Sequence, residues 1–380
     1  MKILLAGGGT GGHVNPALAI AGFIKARKPD SDIRFVGTDK GIESSLVPKA
    51  GYPLYTIEIY GLKRRLTLKN VKAFQKTLRS LSESKKILNE FKPDVVIGTG
   101  GYVSFPVLYK AAELGIPTLI HEQNAYPGIT SKILSRVVDK IMISFDDSRK
   151  YFPKNADINL VGNPIREEFI CHDKKRARDK LGIGQDEKYI VSVGGSMGAR
   201  DFNNAIIDFI ALHAPERKYR HTHACGQRGF KWMPQKLEDK GITRENYPLC
   251  DIREYIYDMP DVLSAADLVI SRAGAITLGE IAALGKPAIL VPSPNVTHNH
   301  QFHNAMSFVN KNAAVLIEEK ELTGERLKKE VDALFSFSDR LEELSKNVAE
   351  LAIYDSTQKI YNCISEVLNR KNKKRKILKI

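Results

Sequence analysis

Short apolar, β-branched runs, each ending on glycine or polar residues and leading into a helix-like stretch, recur along this chain and constrain its fold more than any other feature. In the first half they lie at 3–6, 33–36, 55–59, 95–97, 118–121, 141–144 and 158–161. Continuous apolar strands alternating with helices imply a parallel sheet covered on both faces. The pattern pauses at the charged stretch 173–180, then restarts at 190–193, 220–224, 268–271, 288–291 and 314–317. At 380 residues the chain has the length of two domains. The expected architecture is α/β, with two Rossmann-like, doubly wound parallel-sheet domains joined near 164–188. Ligands of such sheets bind beyond the carboxyl ends of the strands, and the expected active site is a cleft between two such domains.

Charge narrows the partners. Lys and Arg number 58 against 44 Asp and Glu, a formal +14 that calls for an anionic partner: nucleic acid, anionic lipid or a phosphorylated substrate. The excess is local. Residues 62–92 carry ten basic and two acidic side chains, the last eleven residues carry seven basic and no acidic ones, and the remainder is close to neutral. Val71, Phe74, Leu78 and Leu81 share one helical face, bordered by Lys72, Lys76 and Arg79. An apolar stripe beside cations suits an anionic membrane surface, and it equally suits a domain helix with its apolar side in the core. The tail 370–380 can bind an anionic membrane, touch RNA non-specifically or do neither. Four cysteines without C-x-x-C spacing read as free thiols of a reducing compartment. The amino-terminal apolar stretch is too short for a signal peptide, and the run 95–109 is too short and too glycine-broken to span a bilayer. A cytosolic protein with peripheral membrane contact is expected.

Glycine loops stand at the strand ends. GGGTGGH at 7–13 follows the first strand, where backbone N–H groups and a helix start can meet a phosphate. Gly7, Gly9 and Gly12 also fit G-x-G-x-x-G, which keeps a nicotinamide dinucleotide open, although Asp39 lies past the end of the second strand. GTGGY at 98–102, GGSMGAR at 194–200 and SRAGA at 271–275 repeat the pattern, and repetition across two domains favours phosphate contacts over turn geometry alone. His13 sits between a phosphate-type loop and a helix start, as a general base would; His121-Glu122-Gln123-Asn124 and Asn163-Pro164-Ile165-Arg166 close two further strands. His298, His300 and His303 lack zinc-site spacing and read as a hydrogen-bonding loop, and Asp30-Ser31-Asp32 reads as a solvated turn at the opposite sheet end. No metal site is expected.

Taken in order, GGGTGGH, GTGGYVSFP, HEQNAYPGITSKIL, NPIR, GGSMGAR and SRAGAITLGEIAALGKPAILVPSPNVTHNHQFHNA resemble the MurG family, the undecaprenyl-diphospho-muramoylpentapeptide β-N-acetylglucosaminyltransferases, over residues 2–365. The resemblance implies a GT-B glycosyltransferase that needs no cofactor. An acceptor and membrane-associating domain would occupy 1–164 and a UDP-sugar domain 165–369, the last helix being able to pack back on the first domain, with 370–380 as a basic tail. Its partners would be UDP-N-acetylglucosamine, a polyprenyl-diphosphate-linked muramoylpentapeptide and an anionic membrane surface at the cytoplasmic face of the inner membrane, with no nucleic acid. The donor would be held by Thr10, Gly11, Gly12, Asn124, Arg166, Ser196, Ile256, Ala275, Ile276, Thr277, Leu278, Gly279, Glu280 and Gln301. In this reading the backbone near Ile256 reads uracil, Glu280 takes the ribose hydroxyls and Ser196 with its loop holds the diphosphate. The acceptor would meet Gly100, Gly101 and Tyr102, and the membrane Lys69, Lys72, Phe74, Lys76, Leu78, Arg79 and Leu81. His13 is the first choice for the base that takes the proton of the attacking hydroxyl, and Glu122 the second. Another lipid-directed UDP-sugar transferase is the nearest alternative, and a nicotinamide-dependent reductase a more distant one.

Overall fold

The structure is a computed structural model that describes all residues except 60–67, 172, 196 and 378–380, with only the backbone described for 68–77 and 371–377. Two compact units divide the chain, one comprising Met1–Pro164 with Asp355–Ile380 and the other Ile165–Tyr354.

The first unit is built on the strands β1 (Lys2–Gly7), β2 (Asp32–Gly37), β3 (Leu54–Thr56), β4 (Val95–Gly100), β5 (Thr118–Glu122), β6 (Lys140–Ile143) and β7 (Ile158–Leu160), all parallel and ordered β3-β2-β1-β4-β5-β6-β7. Side chains alternate across a strand, so β1 feeds two cores: Ile3 and Leu5 pack on one face, Leu4 and Ala6 on the other. This is why the strands read as unbroken apolar runs. The strand expected at 55–59 is shorter, ending at Thr56.

The second unit repeats the plan with β8 (Lys188–Val193), β9 (Tyr219–Ala224), β10 (Cys250–Arg253), β11 (Leu268–Ser271), β12 (Ala288–Leu290) and β13 (Val315–Leu316), ordered β10-β9-β8-β11-β12-β13 and again parallel. The two doubly wound parallel sheets expected from the apolar runs are therefore present. Strand β10 is an addition: as an edge strand carrying Asp251 and Arg253 it lacks the apolar signature.

The carboxy-terminal helix Ser356–Ile377 joins the core of the first unit through Ile360, Cys363, Ile364 and Val367. Lys140, only 2% exposed, bridges Asp157 (3.1 Å) and Glu366 (2.9 Å) and donates to Asn159 Oδ1 (3.0 Å). Arg370 closes the ring on Asp157 (2.7 Å) and Glu366. Residues 370–377 continue this helix, and Arg370, read from the sequence as part of a basic tail, is engaged in packing it.

Candidate active site

At the carboxyl edge of the first sheet, the ends of β1, β4, β5 and β7 carry the motifs singled out in the sequence. The loop 7–10 leads from β1 into the helix Gly11–Arg27, whose N-cap Thr10 is extended and makes no side-chain cap bond. The first-turn amides of such a helix have no intrahelical acceptor, so the amides of Gly11 and Gly12 can meet an anion. Thr10 and Gly12 are exposed, while Gly11 and His13 are half-buried.

His13 is held at one edge. Its Nδ1 lies 3.1 Å from the carbonyl oxygen of Gly8 and 3.4 Å from Thr10 Oγ1. A carbonyl only accepts, so the shorter contact requires Nδ1 to carry a proton, and in the neutral ring Nε2 then keeps its lone pair. The opposite ring edge lies against the second glycine loop, where a Cβ on Gly100 (φ +110°) would sit 2.6 Å from His13 Cδ2 and 2.9 Å from Nε2. A Cβ on Gly101 (φ +80°) would stand 2.4 Å from the Gly8 oxygen. The loops at 7–13 and 98–102 therefore interlock, and glycine is needed where they touch. Ser104 stitches them further: its Oγ lies 2.8 Å from the carbonyl oxygens of both Ala6 and Gly100, donating its one proton to either, and accepts from Gly100 N–H (3.1 Å). Tyr102 is exposed beside them.

Glu122 is buried, and the loop after β5 uses its carboxylate. Oε1 accepts from the Asn124 N–H (3.0 Å) and side-chain amide (3.3 Å), and Oε2 from Gly128 N–H (3.1 Å). These contacts make it an organiser of the segment 122–128 and leave half-buried Asn124 at the loop surface. His121 is fully buried, with Nε2 2.9 Å from the Gly162 carbonyl and Nδ1 2.9 Å from the Gln123 amide. Burial pushes its pKa down, which the Gly162 carbonyl only partly offsets. Asn163 donates to Gln123 O (3.1 Å), tying the end of β7 to the same loop.

In the second unit, β8 ends in the loop 194–199 before the helix Arg200–His213, with positive φ at Gly195 and Gly198. Ser196 lies outside the described residues. A buried polar chain runs beneath this loop: His213 to His221 (3.1 Å), His221 to Ser192 (2.7 Å), Ser192 to His223 (2.7 Å) and His223 to Asn203 (3.3 Å). Asn203 in turn donates to Cys225 O (2.8 Å). Ile256 is buried between the exposed Tyr255 and Tyr257. Residues Ala275, Ile276, Thr277, Leu278, Gly279 and Glu280 form the first turns of the helix Ala275–Ala283, with an extended Gly274 as N-cap. Burial pushes the Glu280 carboxyl up to about 7, against the pull of the Arg166 cation. Arg166 is exposed and lies over the Phe169 ring (4.9 Å). Gln301 uses Oε1 to accept Ser293 N–H (2.9 Å).

Among the membrane-associating candidates, Leu78 is 53% exposed, Leu81 is half-buried and Arg79 pairs with Glu83 (3.0 Å). The side chains of Lys69, Lys72, Phe74 and Lys76 lie outside the described residues. The buried side of this helix, Leu68–Phe91, is formed in its described part by Ser80, Ser84, Ile87, Leu88 and Phe91. Sequence reasoning missed Glu43, whose buried carboxylate receives Gly9 N–H (2.9 Å), Thr38 N–H (2.9 Å) and Thr38 Oγ1 (2.7 Å). The available signal was a pair of glycines, Gly37 and Gly41, just before an acid at a helix start.

Residues 3–143 match the glycosyltransferase family 28 N-terminal domain and residues 189–360 the family 28 C-terminal domain. The UDP-N-acetylglucosamine--N-acetylmuramyl-(pentapeptide) pyrophosphoryl-undecaprenol N-acetylglucosamine transferase of Acetivibrio thermocellus is 42% identical over 371 residues, covering 98% of this chain and 99% of the relative. The protein of the same name from Ruminiclostridium cellulolyticum is 44% identical over 368 residues, covering 97% and 100%. Among solved structures, Acinetobacter baumannii MurG superposes with a TM-score of 0.79 at 29% identity, covering 96% of this chain and 99% of that one. With both family domains matched in order along the sheets that carry the glycine loops, the chain belongs to glycosyltransferase family 28.

Proposed function

We propose that this enzyme transfers N-acetylglucosamine from UDP-N-acetylglucosamine to the C4 hydroxyl of a polyprenyl-diphospho-N-acetylmuramoyl-pentapeptide, the step from lipid I to lipid II in peptidoglycan synthesis. Near-full-length identity to relatives named for this transfer carries the reading. In a single inverting displacement the acceptor oxygen bonds to the anomeric carbon as the bond to UDP breaks, and His13 Nε2 takes the hydroxyl proton. The Nδ1 contact to the Gly8 carbonyl supports that role, since in the neutral ring it puts the proton on Nδ1 and the lone pair on Nε2. Glu122 acts by shaping the loop that presents Asn124. Charge growing on the departing diphosphate is met by loop amides at 194–199 and by helix starts, with Arg166 adding a cation. Gly100, Gly101 and Tyr102 receive the acceptor, and Ile256, Glu280 and Gln301 the nucleotide.

The same reading places the protein on an anionic membrane at the cytoplasmic face, where its acceptor is anchored. No helix among the described residues is long and apolar enough to cross a membrane. Exposed Leu78 on the basic helix and exposed Ile129 and Ile133 beside Lys132 support surface adsorption.

The test is UDP release by the purified protein with UDP-N-acetylglucosamine and a short-chain polyprenyl-diphospho-muramoylpentapeptide. Release only with a different lipid acceptor would sink the assignment in favour of another lipid-directed sugar transferase. His13→Ala should abolish turnover while leaving UDP binding nearly intact, and normal turnover would remove His13 as the base.

A further inference from the structure

We infer that Glu43 is a positioning residue for His13, acting through the single peptide group that joins Gly8 to Gly9. This rests on the reading of His13 as the base. The N–H of that peptide donates to Glu43 Oε2 (2.9 Å), and its carbonyl accepts from His13 Nδ1 (3.1 Å). A peptide is planar and rigid, so the carboxylate on one side and the imidazole on the other fix one another's partner. Charge on the carboxylate also polarises the peptide, making the Gly8 oxygen a stronger acceptor. The consequence is one preferred tautomer, with Nδ1 protonated and Nε2 free to take a proton.

Glu43 is itself held without slack. Its other oxygen takes both donors of Thr38, and its side chain has no exposed surface. A Cβ on Gly8, Gly37 or Gly41 would come within 2.4, 2.5 or 2.2 Å of it, so three glycines form a close sleeve around the side chain, Gly8 and Gly41 at the carboxylate and Gly37 at Cγ. Burial alone would raise its pKa, but the donors from Gly9 and Thr38 outweigh that and hold the carboxyl below its usual value. Every donor around it needs an acceptor. Glutamine at this position either turns its NH₂ toward Gly9 N–H, which releases the Gly8–Gly9 peptide, or turns it toward the Thr38 donors, which keeps that hydrogen bond but removes the charge that polarises the peptide.

The experiment is ¹⁵N NMR of histidine-labelled, ligand-free protein, with steady-state kinetics alongside. In the unmodified enzyme, His13 should give a protonated Nδ1 and an unprotonated Nε2; the reverse tautomer would overturn the inference. Glu43→Gln should mix the two tautomers and lower kcat at least tenfold, with the KM for UDP-N-acetylglucosamine within about twofold. Thr38→Val, which removes only one donor from the carboxylate, should shift both readouts less and in the same direction, and it serves if the glutamine variant fails to fold. An unchanged His13 signal in a folded Glu43 or Thr38 variant refutes the coupling. Failure of the base assignment is read separately, from undiminished turnover in His13→Ala.

Discussion

Gly100→Ala isolates the packing that positions His13, the proposed base. The added methyl would fall 2.6 Å from His13 Cδ2. Carbon atoms at rest keep ~3.5–4.0 Å, so the ring must retreat by about 1 Å or the loop must open by as much. A misplacement of about 1 Å at reacting groups costs on the order of 10²-fold in rate. Alanine at φ +110° also adds backbone strain of about 1–3 kcal/mol. Gly9→Ala supplies the comparison: Gly9 has φ +85°, yet nothing lies within 4 Å of its Cβ position, so that variant carries strain without the collision. The assay is UDP release under saturating substrates, with thermal melts of both variants. Similar melting losses are expected, with turnover falling about 10²-fold further in Gly100→Ala than in Gly9→Ala. Equal turnover in two folded variants would refute the placement of the His13 ring against Gly100.

Further predictions concern charge. With the Glu280 carboxyl at about 7, the proposed ribose contact predicts that UDP affinity rises about tenfold between pH 6 and 8 as the carboxylate forms, measured by calorimetry, and that Glu280→Gln flattens that rise. Because the folded pKa lies above the unfolded one, the folded state binds the extra proton between them, so this group's contribution to stability falls as pH rises through about 7. A Glu280→Gln variant with an unchanged stability profile would contradict this. Lys140→Met leaves Asp157 and Glu366 without their buried cation. Both carboxylates are partly exposed and regain water, so the expected loss is about 1.5–3 kcal/mol, below that of a fully buried broken pair. Hydrogen exchange in residues 356–370 should accelerate, and unchanged protection would show that the helix is held by its apolar face alone.

Much of this protein is legible in its sequence because the relevant forces are local. Apolar runs buried on both faces announce parallel strands, and glycines at their ends announce turns that bring backbone amides toward a ligand. His13 could be singled out because a titratable ring stands between such a loop and a helix start. What the ring does with its two nitrogens was not legible, since that depends on the Gly8 carbonyl, on Gly100 from another strand and on Glu43, 34 residues from Gly9. Glu122 shows the same limit: a carboxylate at a strand end offered a second candidate base, while the folded loop uses its oxygens to satisfy its own amides. The last helix carries no mark of the unit it joins. Its apolar face fits either sheet as a pattern, and the structure packs it on the first, where Lys140 also pairs with Asp157 and Glu366. Periodicity and turn chemistry are written residue by residue, whereas the partner of a buried polar group is chosen only when distant strands are brought together, because burial is what makes an unmet donor or charge costly.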